Sequence, residues 1–248
     1  MPWIHRRGSP AMNCLLLEPE ELAAEDGLVR LDGRRRRHAD EILKVREGDT
    51  LRVGVIDGAL GEGRILRLDR EVLELRVTLD GAPPPKLALD VVLALPRPPV
   101  FRRLLSTIAS LGAESILVVG TKRTEKSFWN SHVIESDAVR ERLLLGLEQA
   151  KDTRLPKVAF QRYFEPLVEE VLPPRIEGRR ALLPHPGSAA PCPHAIDGKA
   201  TVFIGPEGGF LDYEVDRLAG IGFEPVTLGE RVLRVEPVIP LLVGRLFP

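Results

Sequence analysis

Three stretches in the C-terminal half combine glycine, proline and charge in spacings that suit a ligand site. Thr201-Val-Phe-Ile-Gly-Pro-Glu-Gly-Gly-Phe210 runs an apolar strand into a glycine-rich turn, and the next helix begins with Asp212 and Glu214. Glycines at the end of a buried strand let a ligand approach the backbone, because no Cβ stands in the way. In open α/β sheets that carboxyl edge is where ligands usually bind. The second stretch is Val226–Val238, where Leu228-Gly229 closes a strand and Arg231, Arg234 and Glu236 alternate with apolar residues. The third, Leu183-Pro-His185-Pro-Gly187, is again a strand ending in a proline- and glycine-rich loop. Taken singly, the glycine turn reads more readily as a tight strand–helix connection with Glu207 a solvated residue. The second stretch reads also as an amphipathic turn with an internal Arg234–Glu236 pair, and the third as a connecting loop. Together they read as one pocket made largely of backbone, suited to a flat purine with a short polar tail. No Gly-Lys-Ser/Thr follows the glycines, and their spacing fails the dinucleotide fingerprint, so the turn is neither a P-loop nor a dinucleotide site and a nucleotide-phosphate-binding enzyme is the weak reading.

These loops need a scaffold of strands and helices. Leu87–Leu95 is a nearly continuous apolar run, as in a parallel strand buried on both faces. Helices are expected over Phe101–Leu111, Val139–Ala150 and Leu211–Ile221, and strands over Ser115–Val119, Val158–Phe160, Arg180–Leu183 and Thr201–Ile204. Strands alternating with helices imply an α/β domain. Pro237 is expected at the first helical position of the last helix, and Pro240 with the end at Pro248 leaves room for about two turns.

The preceding part has a different rhythm. Leu51–Ile56, Arg64–Leu68 and Val72–Leu79 alternate in the period of half-buried strands, and Asp57-Gly58 is a turn signal. His38–Val45 reads as a short helix, with Ile42 and Val45 on one face. This is a compact β-rich unit of the small-barrel kind. Asp80-Gly-Ala-Pro-Pro-Pro85 stiffens the chain and cannot donate to a ladder, which marks a boundary. The expected layout is a flexible extension over residues 1–11, a small β domain over 12–82 and an α/β domain over 86–248.

The chain has 248 residues, of which 44% are hydrophobic and 29% charged, the balance of an ordinary globular protein. No apolar run approaches the ~20 residues of a membrane span, and the basic start is followed by no signal-peptide pattern. Two cysteines, Cys14 and Cys192, show no metal or disulfide spacing, and a reducing cytoplasm is the expected setting. Cys192, between two prolines, reads as inert. His38, His132 and His194 have no partner spacing for a metal, so no metal site is expected. The net charge is −1, so any nucleic-acid contact must come from local clusters. Such clusters are Arg34-Arg35-Arg36-Arg37-His38 with Lys44 and Arg46, then Arg102-Arg103 and Lys122-Arg123. Phe128-Trp129 reads as a packing pair rather than a base-stacking platform.

Ile204-Gly-Pro-Glu-Gly-Gly-Phe210 followed by Leu228-Gly-Glu-Arg-Val-Leu-Arg-Val-Glu236 resembles the signature of the 16S ribosomal RNA uridine-N3 methyltransferases of the SPOUT superfamily. The likeness extends to Leu147-Glu-Gln-Ala150 with Leu155-Pro156, and to His38–Gly48. It implies a C-terminal α/β domain with a trefoil knot and a PUA-like RNA-binding domain before it. It also implies a homodimer with its active site near the subunit interface, and a uridine of the small ribosomal subunit as substrate. S-adenosylmethionine would lie bent in the knot, against Leu183, His185, Pro186, Gly187, Ile204, Gly205, Pro206, Glu207, Gly208, Gly209, Leu228, Gly229, Val232 and Leu233.

Uridine N3 carries a proton and is a poor nucleophile until it leaves. The site must help remove that proton, align N3 with the methyl and stabilise charge on the flanking carbonyls. Arg234 is the candidate for that charge, since it stays protonated. Glu236 either orients Arg234 or accepts the proton, and as a base it would need burial to raise its pKa. Arg34–Arg37, His38, Lys44 and Arg46 suit phosphate contacts, which position RNA without reading sequence, or else form a solvated charged face. Two alternatives remain: a knotted methyltransferase acting on another RNA or at a ribose 2′-hydroxyl, and a non-catalytic RNA- or cofactor-binding relative.

Overall fold

The computed structural model describes residues 14–22, 27–42 and 44–248. The expected flexible extension at 1–11 lies outside the described residues, as do Leu43 and the side chain of Ile42, which belong to the expected helix His38–Val45. The described residues form two compact units, one of those up to residue 85 with 144–155 and the other of residues 86–143 with 156–248.

The first unit is built on a mixed five-stranded sheet, in the order β1-β3-β4-β5-β2. Its strands are β1 (Leu15–Leu17), β2 (Leu28–Leu31), β3 (Thr50–Val55), β4 (Leu60–Leu68) and β5 (Leu73–Gly81). β1 pairs with β3 in parallel, and every other pairing is antiparallel. Alternation puts Leu51, Val53, Ile65, Leu75 and Val77 into the core with Leu15, Val29 and Leu31, while Arg52, Arg64 and Arg76 stay exposed on the opposite face. The expected helix at 38–45 begins earlier: α1 spans Gly33–Arg37 and continues as a π-helical turn over His38–Ile42. Positive φ at Gly33 supplies the sharp entry that a Cβ would penalise.

The second unit carries a six-stranded, all-parallel sheet in the order β11-β9-β10-β6-β7-β8. In chain order it comprises β6 (Leu87–Ala94), α2 (Pro98–Ser110), β7 (Ala113–Val119), α3 (Ser136–Ala150) and β8 (Lys157–Gln161). The second half of α3 falls in the first unit. After β8 come α4 (Phe164–Pro166), a π-helical turn (Leu167–Val171) and α5 (Leu172–Ile176). β9 (Arg180–Pro184), β10 (Ala200–Ile204), α6 (Asp212–Gly220), β11 (Glu224–Val226) and α7 (Val235–Leu246) complete it. α2 starts three residues before the expected Phe101, because Pro98 and Pro99 occupy first-turn positions whose N–H groups need no intrahelical acceptor.

α7 corrects the expected length of the last helix. It has twelve residues, with Pro237 third rather than first and Pro240 inside it. Pro237 still falls among the first four residues, whose N–H groups have no intrahelical acceptor. Pro240 does remove one ladder bond. Burial of Val238, Ile239, Leu242 and Leu246 offsets that loss, since each fully buried aliphatic side chain is worth roughly 1.5–3 kcal/mol.

The core beside β10 is aromatic. Phe203 meets Phe210 edge-on at 5.1 Å between ring centroids and Phe223 at 5.9 Å. No described helix is long and apolar enough to cross a membrane.

Candidate functional site

β11, β9 and β10 are neighbours in the sheet and run in parallel, with Val226 registered on Pro184 and Val202 on Leu182. Their carboxyl ends therefore open side by side, and the loops after them converge. Between those loops is a cavity of about 320 Å³, within the range of small-molecule sites. Three walls come from the three stretches singled out by sequence: His185-Pro186, Ile204–Gly209 and Leu228-Gly229 with Val232-Leu233.

Local chemistry fixes each wall. His185 N–H donates to the Val226 carbonyl at 2.9 Å, tying the first loop to β11. Gly209 N–H donates to the Pro206 carbonyl at 2.8 Å with φ of 71°, closing the glycine turn in a conformation that favours glycine. A Cβ on Gly205 would stand 2.8 Å from the Phe210 ring. In the third wall, Thr227 Oγ1 accepts from Gly229 N–H at 3.2 Å and donates to the Gly229 carbonyl at 3.0 Å.

Two neighbouring strand ends pin the glycine turn from outside. Arg97 N–H, after β6, donates to Glu207 Oε1 at 3.0 Å. Glu207 thus anchors the loop through its carboxylate. The Arg123 guanidinium, after β7, donates to the Gly208 carbonyl. Arg123 Cδ lies 3.2 Å from where a Gly208 Cβ would be, so this glycine makes room for a protein side chain. The Arg123 loop is itself held, since Lys122 N–H donates to Glu214 Oε1 at 2.8 Å. Glu214, fully buried, also accepts from Leu211 N–H at 2.8 Å at the start of α6.

Not every expected residue reaches the cavity. Leu183 is fully buried in the core of the unit, because alternation along β9 turns it away from the loop. Gly187 lies one residue beyond the lining, where a Cβ would stand 3.3 Å from His185 Nε2. Arg234 and Glu236 do not line it either. Arg234 is exposed at the N-cap of α7. Glu236 pairs with Arg103 of α2 at 2.8 Å, and no ion pair with Arg234 forms. The Arg103 hydrogen bond, with the backbone N–H at the helix start, holds the Glu236 carboxyl below its ordinary value. The raised pKa that a base at this position would need is thus not found at Glu236. Arg123, Phe210, Arg231 and Val238 line the cavity although they were not among the expected cofactor contacts. For Arg123 the signal was present in the basic pair Lys122-Arg123.

The basic run of the first unit is largely paired. Arg34 reaches Glu148 at 3.1 Å, Arg35 pairs with Glu21, and Arg36 pairs with Asp40 at 2.7 Å and donates to the Asp69 carbonyl at 2.6 Å. Arg37 is exposed with no ion pair among the described residues, and Lys44 and Arg46 are also exposed. His38 Nε2 is buried without a hydrogen-bond partner. Trp129 is partly buried, with the Arg162 guanidinium over its ring at 5.9 Å. Both cysteines are free and buried, and burial pushes the Cys14 thiol up to about 12. Among the described residues no cluster of histidine, cysteine and carboxylate is arranged to hold a metal.

Residues 83–245 match the RNA methyltransferase domain family. The chain belongs to this family. Ribosomal RNA small subunit methyltransferase E of Treponema pallidum is 29% identical over 235 residues, covering 91% of this chain and 86% of that relative. The Borreliella burgdorferi protein called ribosomal RNA small subunit methyltransferase E 1 is 25% identical over 229 residues, covering 91% and 93%. A ribosomal RNA small subunit methyltransferase E from Neisseria gonorrhoeae, solved bound to S-adenosyl methionine, superposes with a TM-score of 0.72 at 21% identity, covering 93% and 95%. Lpg2936 of Legionella pneumophila, a putative methyltransferase solved with the same cofactor, gives 0.72 at 22%, covering 93% and 94%. The α/β architecture is thus that of the solved methyltransferases.

Proposed function

We propose that the chain transfers a methyl group from S-adenosylmethionine to N3 of a uridine in 16S ribosomal RNA of the small subunit. The observation that carries this is the convergence of three loops, two of them bearing the family signature and the third the wall which that likeness implies, on one cavity of cofactor size in an RNA methyltransferase domain. The relatives named for the small-subunit RNA support the substrate, and a ribosomal substrate implies work in the cytoplasm.

The cavity fits the cofactor on its own terms. Its walls at Gly205, Gly208 and Gly229 present backbone, while Ile204, Leu228, Leu233 and Val238 offer apolar sides for an adenine. When bound, S-adenosylmethionine supplies an electrophilic methyl on a sulfonium. Peptide groups of the glycine loop would hold its polar edges, and the pins from Arg97 and Arg123 keep that loop in place before binding, which lowers the ordering cost. Arg234, at the N-cap of α7, stabilises the negative charge that develops on the uridine carbonyls. Glu236, kept ionised by Arg103, fixes the start of α7 and so the position of Arg234. Its depressed pKa makes it a weak base.

Exposed Val232 and Leu233, with Leu241 on α7, support a homodimer in which a second copy covers the loop beside the cavity. The order β11-β9-β10, in which the chain leaves β10 and passes β9 to reach β11, supports the trefoil knot. The mixed five-stranded sheet supports the PUA-like reading of the first unit. Arg37, Lys44 and Arg46 are the lysines and arginines of the expected RNA-contacting set left without an ion pair among the described residues.

The test is methyl transfer from labelled S-adenosylmethionine to small subunits from a strain lacking the modification, followed by nucleoside mass analysis. N3-methyluridine is the expected product. A ribose-methylated nucleoside, or cofactor binding with no transfer, would overturn the reading.

A further inference from the structure

The exposed face of the first unit's sheet carries a charge arrangement that folding alone disfavours. In the β4–β5 register Arg64 stands directly opposite Arg76. Like charges directly opposed across a strand pair destabilise it. Neither arginine, nor Arg52 on β3, forms an ion pair with a carboxylate among the described residues. The three side chains are exposed, while their neighbours Leu51, Ile65 and Leu75 point into the core.

The same face floors a broad depression of about 1050 Å³, with Lys44 and Lys151 also in its lining. Both lysines have left-handed backbone, with φ of 52° and 56°, and they are two of the four described non-glycine residues that do. Glycine or asparagine takes that conformation at lower cost, so a lysine kept there is a second local penalty. Asp49, Glu62 and Asp80 also line the depression, leaving five cations against three carboxylates. No aromatic side chain lines it, so it has no platform on which a base could stack.

We infer that this depression, rather than the α1 arginines, is where the first unit takes the phosphodiester backbone of RNA. Opposed arginines and strained lysines are held against their own repulsion because an anion crosses between them. With cations and no stacking surface, the contact is independent of base sequence and strongly dependent on salt. The α1 run cannot serve equally, since Arg34, Arg35 and Arg36 are already neutralised inside the unit. This inference rests on the RNA methyltransferase reading of the chain, and it names where that substrate is held.

The test compares wild type with Arg64→Gln, Arg76→Thr and the double variant in the full chain. Affinity for fluorescent polyuridylate is measured over a salt series, with thermal unfolding and S-adenosylmethionine calorimetry alongside. Each replacement should weaken polyuridylate binding about fivefold at 0.1 M salt and reduce the salt slope by about 0.7. Cofactor affinity should not change, and Tm should rise by about 1–3 °C as the repulsion is relieved. Arg34→Gln is the contrast: it should lower Tm and leave the salt slope unchanged. Unchanged polyuridylate affinity and slope in the double variant would overturn the inference, as would a Tm that falls in step with affinity. If the wild type binds cofactor but methylates no RNA, the functional reading fails separately, and the salt series still decides the surface.

Discussion

Replacing Gly205 by alanine tests whether the glycine turn is shaped by packing as well as by its ligand. The added methyl would stand 2.8, 3.0 and 3.2 Å from three atoms of the Phe210 ring. Phe210 is only 5% exposed and is wedged edge-on against Phe203, which itself meets Phe223. Backed by Phe203, the ring can yield only toward the cavity that it lines, and overpacking of this kind costs about 1–3 kcal/mol. Gly205 and Phe210 both line the cavity, so strain that the cofactor must undo appears as a loss of affinity. At about 1.4 kcal/mol per tenfold, the range is roughly 5- to 150-fold. Gly208→Ala is the control, because its nearest obstacle is Arg123 Cδ at 3.2 Å on an exposed, flexible side chain. That change should cost less than Gly205→Ala, the loss being at most the Arg123 hydrogen bond to the Gly208 carbonyl, about 0.5–1.5 kcal/mol. Titration calorimetry with S-adenosylmethionine and denaturant unfolding read both effects. Equal behaviour of the two variants, or Gly205→Ala with wild-type affinity and stability, would refute the packing argument.

Arg234→Ala should abolish methyl transfer while leaving S-adenosylmethionine affinity unchanged, because Arg234 stands outside the cavity lining; retained turnover in a radiolabel assay would remove it from the chemistry. Asp90→Ala should destabilise the second unit by about 3–5 kcal/mol, since buried Asp90 accepts from Arg175 at 2.5 and 2.8 Å and from Ser115 at 2.5 Å; a change below about 1 kcal/mol in urea unfolding would show the pair to be dispensable. Glu236 has a depressed pKa, so its contribution is present above its unfolded pKa and is lost as pH falls through the lower folded value. Glu236→Gln should therefore lower stability at neutral pH, leave it nearly unchanged at acid pH where the carboxyl is already protonated, and so flatten the acid limb; neutral-pH stability equal to wild type would contradict the Arg103 pairing. Cys14, raised to about 12 by burial, adds the opposite trend: stability should decline above the ordinary thiol range, and the native protein should resist alkylation at pH 8 until unfolded.

Much of the site was legible in local pattern because backbone pockets are written in residue types. A glycine turn after an apolar strand, or His-Pro-Gly at the end of another, has few uses, and the family likeness, carried on residue identity by two of the stretches, implies the third as their neighbour. The α/β rhythm and the proline-rich break ahead of residue 86 were visible for the same reason: periodicity and rigidity act over a few residues. The parallel order β11-β9-β10, which makes the three loops neighbours, was not visible, since strand pairing depends on contacts far apart in sequence. Nor could spacing show that Glu236 would face Arg103 rather than Arg234, because partners across helices are set by packing. The arginine run at 34–37 suggested a nucleic-acid surface, yet three of its members meet carboxylates brought from Glu21, Asp40 and Glu148. Arg64 and Arg76 look unremarkable in the chain, and only strand register placed them side by side. The sequence by itself determined the kinds of groups available and the local turns that expose them. The tertiary structure decided which charges neutralise one another and which stay free, because neutralisation is a matter of distance, and distance is settled only when the chain is packed.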